Sequence, residues 1–393
     1  MKKQITLVKR GERLLLIEVA EGVVTSIHVV PKNKVVNGNI YIGKVKSVVP
    51  NIQGAFIEVE EQTKCFLPLK QLDHCILINR KYDGSLKQSD ELLVQVVKEP
   101  MKTKDATVTT NLSFQGRYCV ITSGDRRIVY SKKLDKDVKS YYQPIVEGLR
   151  EEHMGILVRT NAKTVMDSKE LLEELERLKK RYEYILKIKD TRQGGACLER
   201  ALPAHLQAIR DYLGEDCEVR TDEEVIYQEM VDYCTSEEAL RPYVQQVQLY
   251  KDSYSLSKLI SLETILENAL RKVVWLKSGG SIVIEHTEAL TAIDVNTSKS
   301  TSKKNQEETI YAMNQEAAIM VMYQLRLRNI SGIVIVDFIN MKEEHRVHKL
   351  IALLREEARK DSVITTIVGM TSLGLMEITR KKVLPSLREQ LQE

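Results

Sequence analysis

No two cysteines of this chain stand in a CxxC pair. The six, at positions 65, 75, 119, 197, 217 and 234, are scattered. That pattern argues for free thiols in a reducing cytoplasm and against a zinc site built from paired cysteines. Long apolar runs are also missing. The runs that are present, such as Leu14–Ile17 and Ile333–Val336, are far too short to span a bilayer, so no membrane segment is expected. The N-terminus, MKKQITLVKRGERLLLIEVAEG, starts basic, but charges interrupt its apolar part and no small-residue cleavage site follows. It reads as a hairpin rather than a signal peptide. A large excess of either charge is missing too: a net +4 permits a nucleic-acid partner without demanding one, so its distribution matters more. Internal repeats and low-complexity linkers are absent. What is present, 43% hydrophobic and 29% charged over 393 residues, describes an ordinary soluble protein of two to four domains.

The first half reads as β structure. RLLLIEVAEGVVTSIHVV carries a Glu21-Gly22 turn between two β-rich runs. From about Asn37, short strands (NIYIGKVKSVV, GAFIEVEEQTKCFLPL, DELLVQVVKEP, ATVTTNLSF) suggest a small barrel. GRYCVIT and RRIVYSKKL follow as a hairpin-like unit, and GILVRT as a strand. Asp167 and Glu170 stand at capping-box spacing before a helix whose one face is Leu171, Leu175, Leu178, Tyr182 and Ile185. ALPAHLQAIRDYLG predicts a second helix ended by Gly214, and Ser257–Leu276 a third. The last third alternates: a hairpin over 281–294, a helix at about 305–328, a strand over 333–338, a helix over 343–359, a strand over 363–368 and a final helix from about Gly374. That alternation argues for α/β packing with largely parallel strands.

Two aspartates stand out in this last third. Asp294 ends the run Leu290–Ile293, and Asp337 ends the β-branched run Ile333–Val336. A strand buried on both faces tolerates a carboxylate only where it leaves the core. The helix between the two runs would act as a crossover, returning the second strand beside the first so that both aspartates emerge at one edge. Two carboxylates brought together make a hard-oxygen site suited to magnesium, which takes one or two carboxylates and fills its shell with water and substrate phosphate. Asn296 adds a neutral donor and acceptor. One isolated Asp would read as a strand terminator or cap; two, with Asn296 following, favour metal.

GGSIVIEHTEALTAIDVN (Gly279–Asn296), QLRLRN (Gln324–Asn329) and GIVIVDFINM (Gly332–Met341) together resemble the catalytic subdomain of the ribonuclease E/G family of bacterial endoribonucleases. The resemblance implies that Asp294 and Asp337 hold a catalytic Mg2+ and that Asn296 hydrogen-bonds within this site.

Asn39–Leu72 resembles an S1-type OB fold in YIGKV, GAF and FLPLK. Two of the chain's four phenylalanines, Phe56 and Phe66, lie there. A single Phe is more often barrel core, but rings on a barrel face can stack on bases. The family resemblance implies that Phe56 and Phe66 face RNA and that Lys104 touches it. The basic residues Lys98, Lys102, Lys104, Arg117, Arg126, Arg127, Lys132 and Lys133 read as a phosphate track. GILVRTNA (Gly155–Ala162) resembles the family's pocket for an RNA 5′ end, with Arg159 and Thr160 gripping a terminal monophosphate and Lys132 or Lys133 contributing. Without the resemblance it would read as an ordinary strand-end Arg-Thr.

By resemblance the chain is α/β and β in several subdomains. A discontinuous RNase H-like part (1–36 and 206–269) holds an inserted S1-type OB barrel (37–113) and a 5′ sensor (114–205). A DNase I-like α/β catalytic subdomain (270–393) follows. The expected activity is a magnesium-dependent, cytoplasmic endoribonuclease that cuts single-stranded RNA, prefers 5′-monophosphate ends and leaves a 5′-phosphate and a 3′-hydroxyl. It would serve ribosomal RNA maturation or messenger decay. The family usually continues into a zinc-binding CPxCxGxG segment; this chain stops at VLPSLREQLQE, with no cysteine after Cys234. Zinc is therefore not expected, and any oligomer should be a two-fold homodimer through the catalytic subdomain. Two alternatives are a non-catalytic RNA-binding scaffold of the same fold, and a metal-dependent phosphodiesterase acting on DNA.

Overall fold

The computed structural model describes residues 3–30, 35–72, 74–100, 104–124, 126–149, 151, 153–164, 167–297 and 306–392. The chain divides into two compact units, one of residues 1–30, 214–232 and 243–393, the other of 31–213 and 233–242.

The first unit contains two sheets. Lys3–Arg10, Arg13–Ala20 and Val23–Val29 form an antiparallel meander. Its second turn has Glu21 at φ 52° and Gly22 at φ 78°, the two positive angles that a two-residue hairpin turn requires. Cys217–Thr221 joins the sheet parallel to Lys3–Arg10, and Val247–Leu249 lies parallel beyond it. Val8, Leu15, Ile17 and Ile27 bury one face against Leu262, Leu266 and Leu387. The helix expected over Ser257–Leu276 is broken. Ser261 adopts φ 52° between helices Leu256–Leu259 and Leu262–Leu270, and Val273–Trp275 is a strand.

The second sheet has the spatial order Val273–Trp275, Ser281–His286, Leu290–Asn296, Gly332–Asp337, Met376–Arg380, Thr365–Met370. Only the two aspartate strands run parallel; the other neighbours are antiparallel. The expectation of largely parallel strands is thus corrected. The final helix expected from Gly374 is corrected too. MEITR alternates buried and less buried residues, a period of two, and it pairs with the Asp337 strand; the helix comes later, at Leu387–Gln392. Helices Gln306–Leu327 and Glu344–Lys360 cover one face, packing Met313, Ala317, Val321 and Leu350 on Ile282, Ile293, Val295 and Val336.

In the second unit, Ile40–Val49, Gly54–Val59, Thr63–Pro68, Ala106–Thr109 and Glu91–Lys98 pair in that order, and the last pairs back with the first. The result is a closed five-stranded barrel filled by residues such as Tyr41, Ile57, Leu67, Val94 and Val108. Ser113–Gln115, Cys119–Ser123, Met154–Val158 and Ile128–Tyr130 form a separate sheet. Cys119–Ser123 and Ile128–Tyr130 do not form the expected hairpin. Met154–Val158 lies between them, antiparallel to one and parallel to the other. Helix Ser168–Ile188 starts on Asp167, whose carboxylate accepts from the Lys169 N–H at 3.1 Å. Glu170 does not complete a capping box but accepts from the Tyr118 hydroxyl at 2.7 Å. Leu171, Leu175, Leu178 and Ile185 bury the helix's apolar face against Phe114, Cys119 and Ile156.

Candidate active site

In the second sheet of the first unit, the parallel register places Asp294 directly opposite Asp337. Neighbouring strands are about 4.8 Å apart, so one cation can reach both carboxylates. Along Leu290–Asn296 burial alternates: Thr291, Ile293 and Val295 point into the core, while Asp294 and Asn296 are exposed. Asp337, the last residue of its strand, is exposed after buried Val336. The carboxylates therefore leave the core by the two-residue period of a one-sided sheet. The expected strand-end rule fits Asp337 but not Asp294, which sits inside its strand.

The Asn296 amide donates to Asp294 Oδ2 at 2.8 Å, fixing that carboxylate's orientation. Among the described residues no ion pair occupies either Asp294 or Asp337. Nor is there, among them, a group of three or more His, Cys, Asp or Glu that could hold a metal. Two adjacent, unpaired carboxylates with no nitrogen or sulfur donor suit a hard cation that keeps most of its water, as magnesium does. Buried Asn314 pins the chain just beyond Asp337, its amide donating to the Ile339 carbonyl at 2.8 Å and its oxygen accepting from the Ile339 N–H at 3.0 Å. The sequence shows it only as a polar residue on an otherwise apolar helix face.

On the barrel of the second unit, Phe56 and Phe66 are direct cross-strand partners with ring centroids 6.0 Å apart in an edge-on arrangement. Their sequence neighbours Ala55, Ile57, Cys65 and Leu67 fill the barrel, whereas both rings lie outside that core and are partly exposed. The Lys64 ammonium stands 3.8 Å from the Phe56 centroid, a cation–π contact that the sequence reading missed. The signal available was its place opposite Glu58. The Phe66 ring lies across Gly54, where a Cβ would come within 2.1 Å of it. Lys104 is exposed just before Ala106–Thr109, the strand whose Thr107 registers with Phe66.

Arg159 follows strand Met154–Val158 and pairs with Asp211 at 2.8 Å while donating to the Gly116 carbonyl. Burial raises the Asp211 carboxyl, but hydrogen bonds from Arg210 and Arg159 outweigh it and hold it below the usual range. Among the described residues both side-chain bonds of Arg159 come from Nη1. The Thr160 hydroxyl lies 2.8 Å from that of Ser131, which brings the segment of Lys132 and Lys133 to Thr160. Asp211 and Ser131 were not foreseen, since each meets its partner only through the fold. Arg117 does not belong to a phosphate track. It is 8% exposed and spends its guanidinium on the carbonyls of Arg210 and Leu213 at 2.8 and 2.6 Å. Lys102 lies outside the described residues; Lys98, Lys104, Arg126, Arg127, Lys132 and Lys133 are exposed.

The sheet thus opposes two carboxylates, and the same chain carries a closed barrel with two outward aromatics, features that a protein handling a polyanion would use. The model of the ribonuclease E/G family matches residues 113–383. Ribonuclease G of Haemophilus influenzae is 31% identical over 394 residues, covering 96% of this chain and 79% of that protein. Ribonuclease G of Escherichia coli (strain K12) is 29% identical over 383 residues, with 94% and 78% covered. Ribonuclease E of Haemophilus influenzae is 31% identical over 370 residues, which are 91% of this chain and 39% of that protein. The chain belongs to the ribonuclease E/G family.

Proposed function

We propose that this chain is a magnesium-dependent endoribonuclease that cuts single-stranded RNA, prefers 5′-monophosphorylated ends and acts in cytoplasmic RNA processing and decay. Endoribonuclease activity comes with membership of the family. The observation that supports the metal dependence is the register that sets Asp294 against Asp337, with Asn296 bonded to Asp294. Asp294 and Asp337 would hold Mg2+, which when bound supplies an activated water and charge stabilisation at the scissile phosphate. Asn296 keeps the Asp294 carboxylate oriented, and Asn314 keeps the Asp337 strand in register.

The strand order of the barrel, in which only Thr63–Pro68 and Ala106–Thr109 are parallel, supports the S1-type OB assignment of residues 37–113. Phe56 and Phe66 then stack on bases while Lys64 and Lys104 meet phosphates. Arg159 and Thr160 serve the 5′ phosphate within the sensor, residues 114–205. The pairing of Lys3–Arg10 with Cys217–Thr221 supports a discontinuous RNase H-like part, and the aspartate sheet supports a catalytic subdomain over 270–393. A two-fold dimer through that subdomain completes the proposal. Among the described residues no helix is long and apolar enough to cross a membrane. All six cysteines are free, and burial pushes Cys65 and Cys75 up to about 12, so none is proposed as a zinc ligand.

Incubation of labelled single-stranded RNA and DNA with magnesium or with EDTA tests the proposal. RNA cleaved internally in magnesium alone is the expected result. Cleavage of DNA at equal rate, or of RNA in EDTA, contradicts it, and binding without cleavage favours the scaffold.

A further inference from the structure

The chain's single tryptophan, Trp275, is 73% exposed. An indole left in water forgoes the burial that usually stabilises it, and exposed aromatics mark contact surfaces. Its position is set by register. Trp275 pairs with Ser281, and Ser281 pairs with Asn296. In the adjacent row Val273 pairs with Val283, Val283 with Asp294, and Asp294 with Asp337. Cross-strand partners share a face. Trp275 therefore rises from the same face as Asp294, Asn296 and Asp337, two strands (about 10 Å by ordinary strand spacing) from the strand of Asp294 and Asn296 and three from that of Asp337. Val273, 37% exposed, extends the apolar patch on that face.

The backbone that presents the ring is fixed. Trp275 precedes a turn closed by Leu276 N–H to the Gly280 carbonyl at 2.8 Å and Gly279 N–H to the Leu276 carbonyl at 3.0 Å. The Glu316 carboxylate accepts from the Lys277 and Ser278 N–H groups at 2.5 and 3.1 Å, and buried Leu276 anchors the turn in the core. Lys277, two residues on in this turn, is exposed and can meet a phosphate.

We propose that Trp275 is a stacking platform for a base flanking the phosphate bound at Asp294 and Asp337. The proposal rests on those aspartates marking the cleavage site. A second protein copy would suit this face poorly, because it would have to bury Asp294, Asp337 and Glu285 together with the indole. RNA offers a base to the ring while its cations neutralise the carboxylates. The ring is thus a substrate-binding element of the cleavage site itself, on a different sheet from the barrel phenylalanines.

A single tryptophan makes the test direct. A short, uncleavable 2′-O-methyl oligoadenylate is titrated into the full chain in magnesium, with tryptophan emission and RNA anisotropy read in parallel. Saturable quenching with the midpoint of the anisotropy curve is expected. Trp275→Ala should weaken binding about fivefold to a hundredfold, the range of one base–aromatic stack, and Trp275→Phe should restore much of it. In cleavage, Trp275→Ala should raise KM while kcat stays within about threefold, the pattern of lost uniform binding. Unchanged emission at saturating RNA overturns the proposal. So does emission that shifts with protein concentration but not with RNA, which would make this face an interface between copies. Because quenching needs no cleavage, it is read separately from the catalytic roles of Asp294 and Asp337, whose failure would show as cleavage surviving their substitution.

Discussion

Replacing Phe66 by alanine should remove more than one ring. Phe66 packs edge-on against Phe56 at 6.0 Å and covers Gly54. Without it Phe56 loses that edge-on partner and keeps the Lys64 cation 3.8 Å from its centroid. A stacked base is worth ~1–3 kcal/mol, so Phe66→Ala and Phe56→Ala should each weaken single-strand binding about fivefold to a hundredfold. Because each ring buttresses the other, the double variant should lose less than the sum, by about 0.5–1.5 kcal/mol, the coupling of an aromatic pair. Neither substitution removes a charge, so the dependence of binding on salt should be unchanged. Lys104→Ala should instead lower the salt slope by about 0.7 for each phosphate that is no longer neutralised. The assay is equilibrium titration of labelled single-stranded RNA in EDTA at several salt concentrations, with the fold checked by circular dichroism. Unchanged affinity in folded Phe66→Ala, or a lowered salt slope in either phenylalanine variant, would refute the stacking role.

Arg159→Ala should erase the preference for 5′-monophosphorylated RNA, about tenfold to a hundredfold from a charge-assisted bond of ~1.5–3 kcal/mol, and spare internal cleavage; equal substrate ratios in wild type and variant would place the 5′ pocket elsewhere. Asp361 and Arg380 form a buried pair at 2.8 Å, with Arg380 also bonded to Asn329 at 2.8 Å. Burial raises the Asp361 carboxyl, but Arg380 and the Val363 and Thr365 donors outweigh it and hold it below the usual range. A depressed folded pKa means that the pair's stabilisation is fully present above the unfolded carboxylate value of about 3.9 and is lost as pH falls through the folded value. Asp361→Asn should therefore cost ~3–5 kcal/mol at neutral pH and flatten the acid limb of a denaturation series; an unaltered limb would show that other carboxylates control it.

The sequence made the aspartate sheet legible because its signals are local. The β-branched run before Asp337 and the crossover length between Asp294 and Asp337 sufficed to foresee helix Gln306–Leu327 and both strands. The spacing of the short strands from about Asn37 likewise revealed those that close into the barrel. Where the reading failed, tertiary context had overridden a local pattern. MEITR followed a glycine and looked like a helix start, yet the open edge of the Asp337 strand recruited it as a strand. Arg117 looked like one more cation in a basic run, but the carbonyls of Arg210 and Leu213, remote in sequence, drew it into the interior. Asn314, Asp211 and Ser131 were invisible for the same reason, since each acts on a partner some 25 residues or more away, namely Ile339 for Asn314, Arg159 for Asp211 and Thr160 for Ser131. The capping box was half right: Asp167 caps its helix, but Glu170 found Tyr118.

In the proposed function Asp294 and Asp337 together form the metal-dependent cleavage site. Its most direct measurement is cleavage of one labelled single-stranded RNA by purified Asp294→Asn and Asp337→Asn in magnesium, with binding of the same RNA measured in EDTA. Each change removes a carboxylate charge on an exposed strand position and hardly alters shape. Cleavage should be abolished in both while binding stays nearly intact. Wild-type turnover by either folded variant would contradict the account.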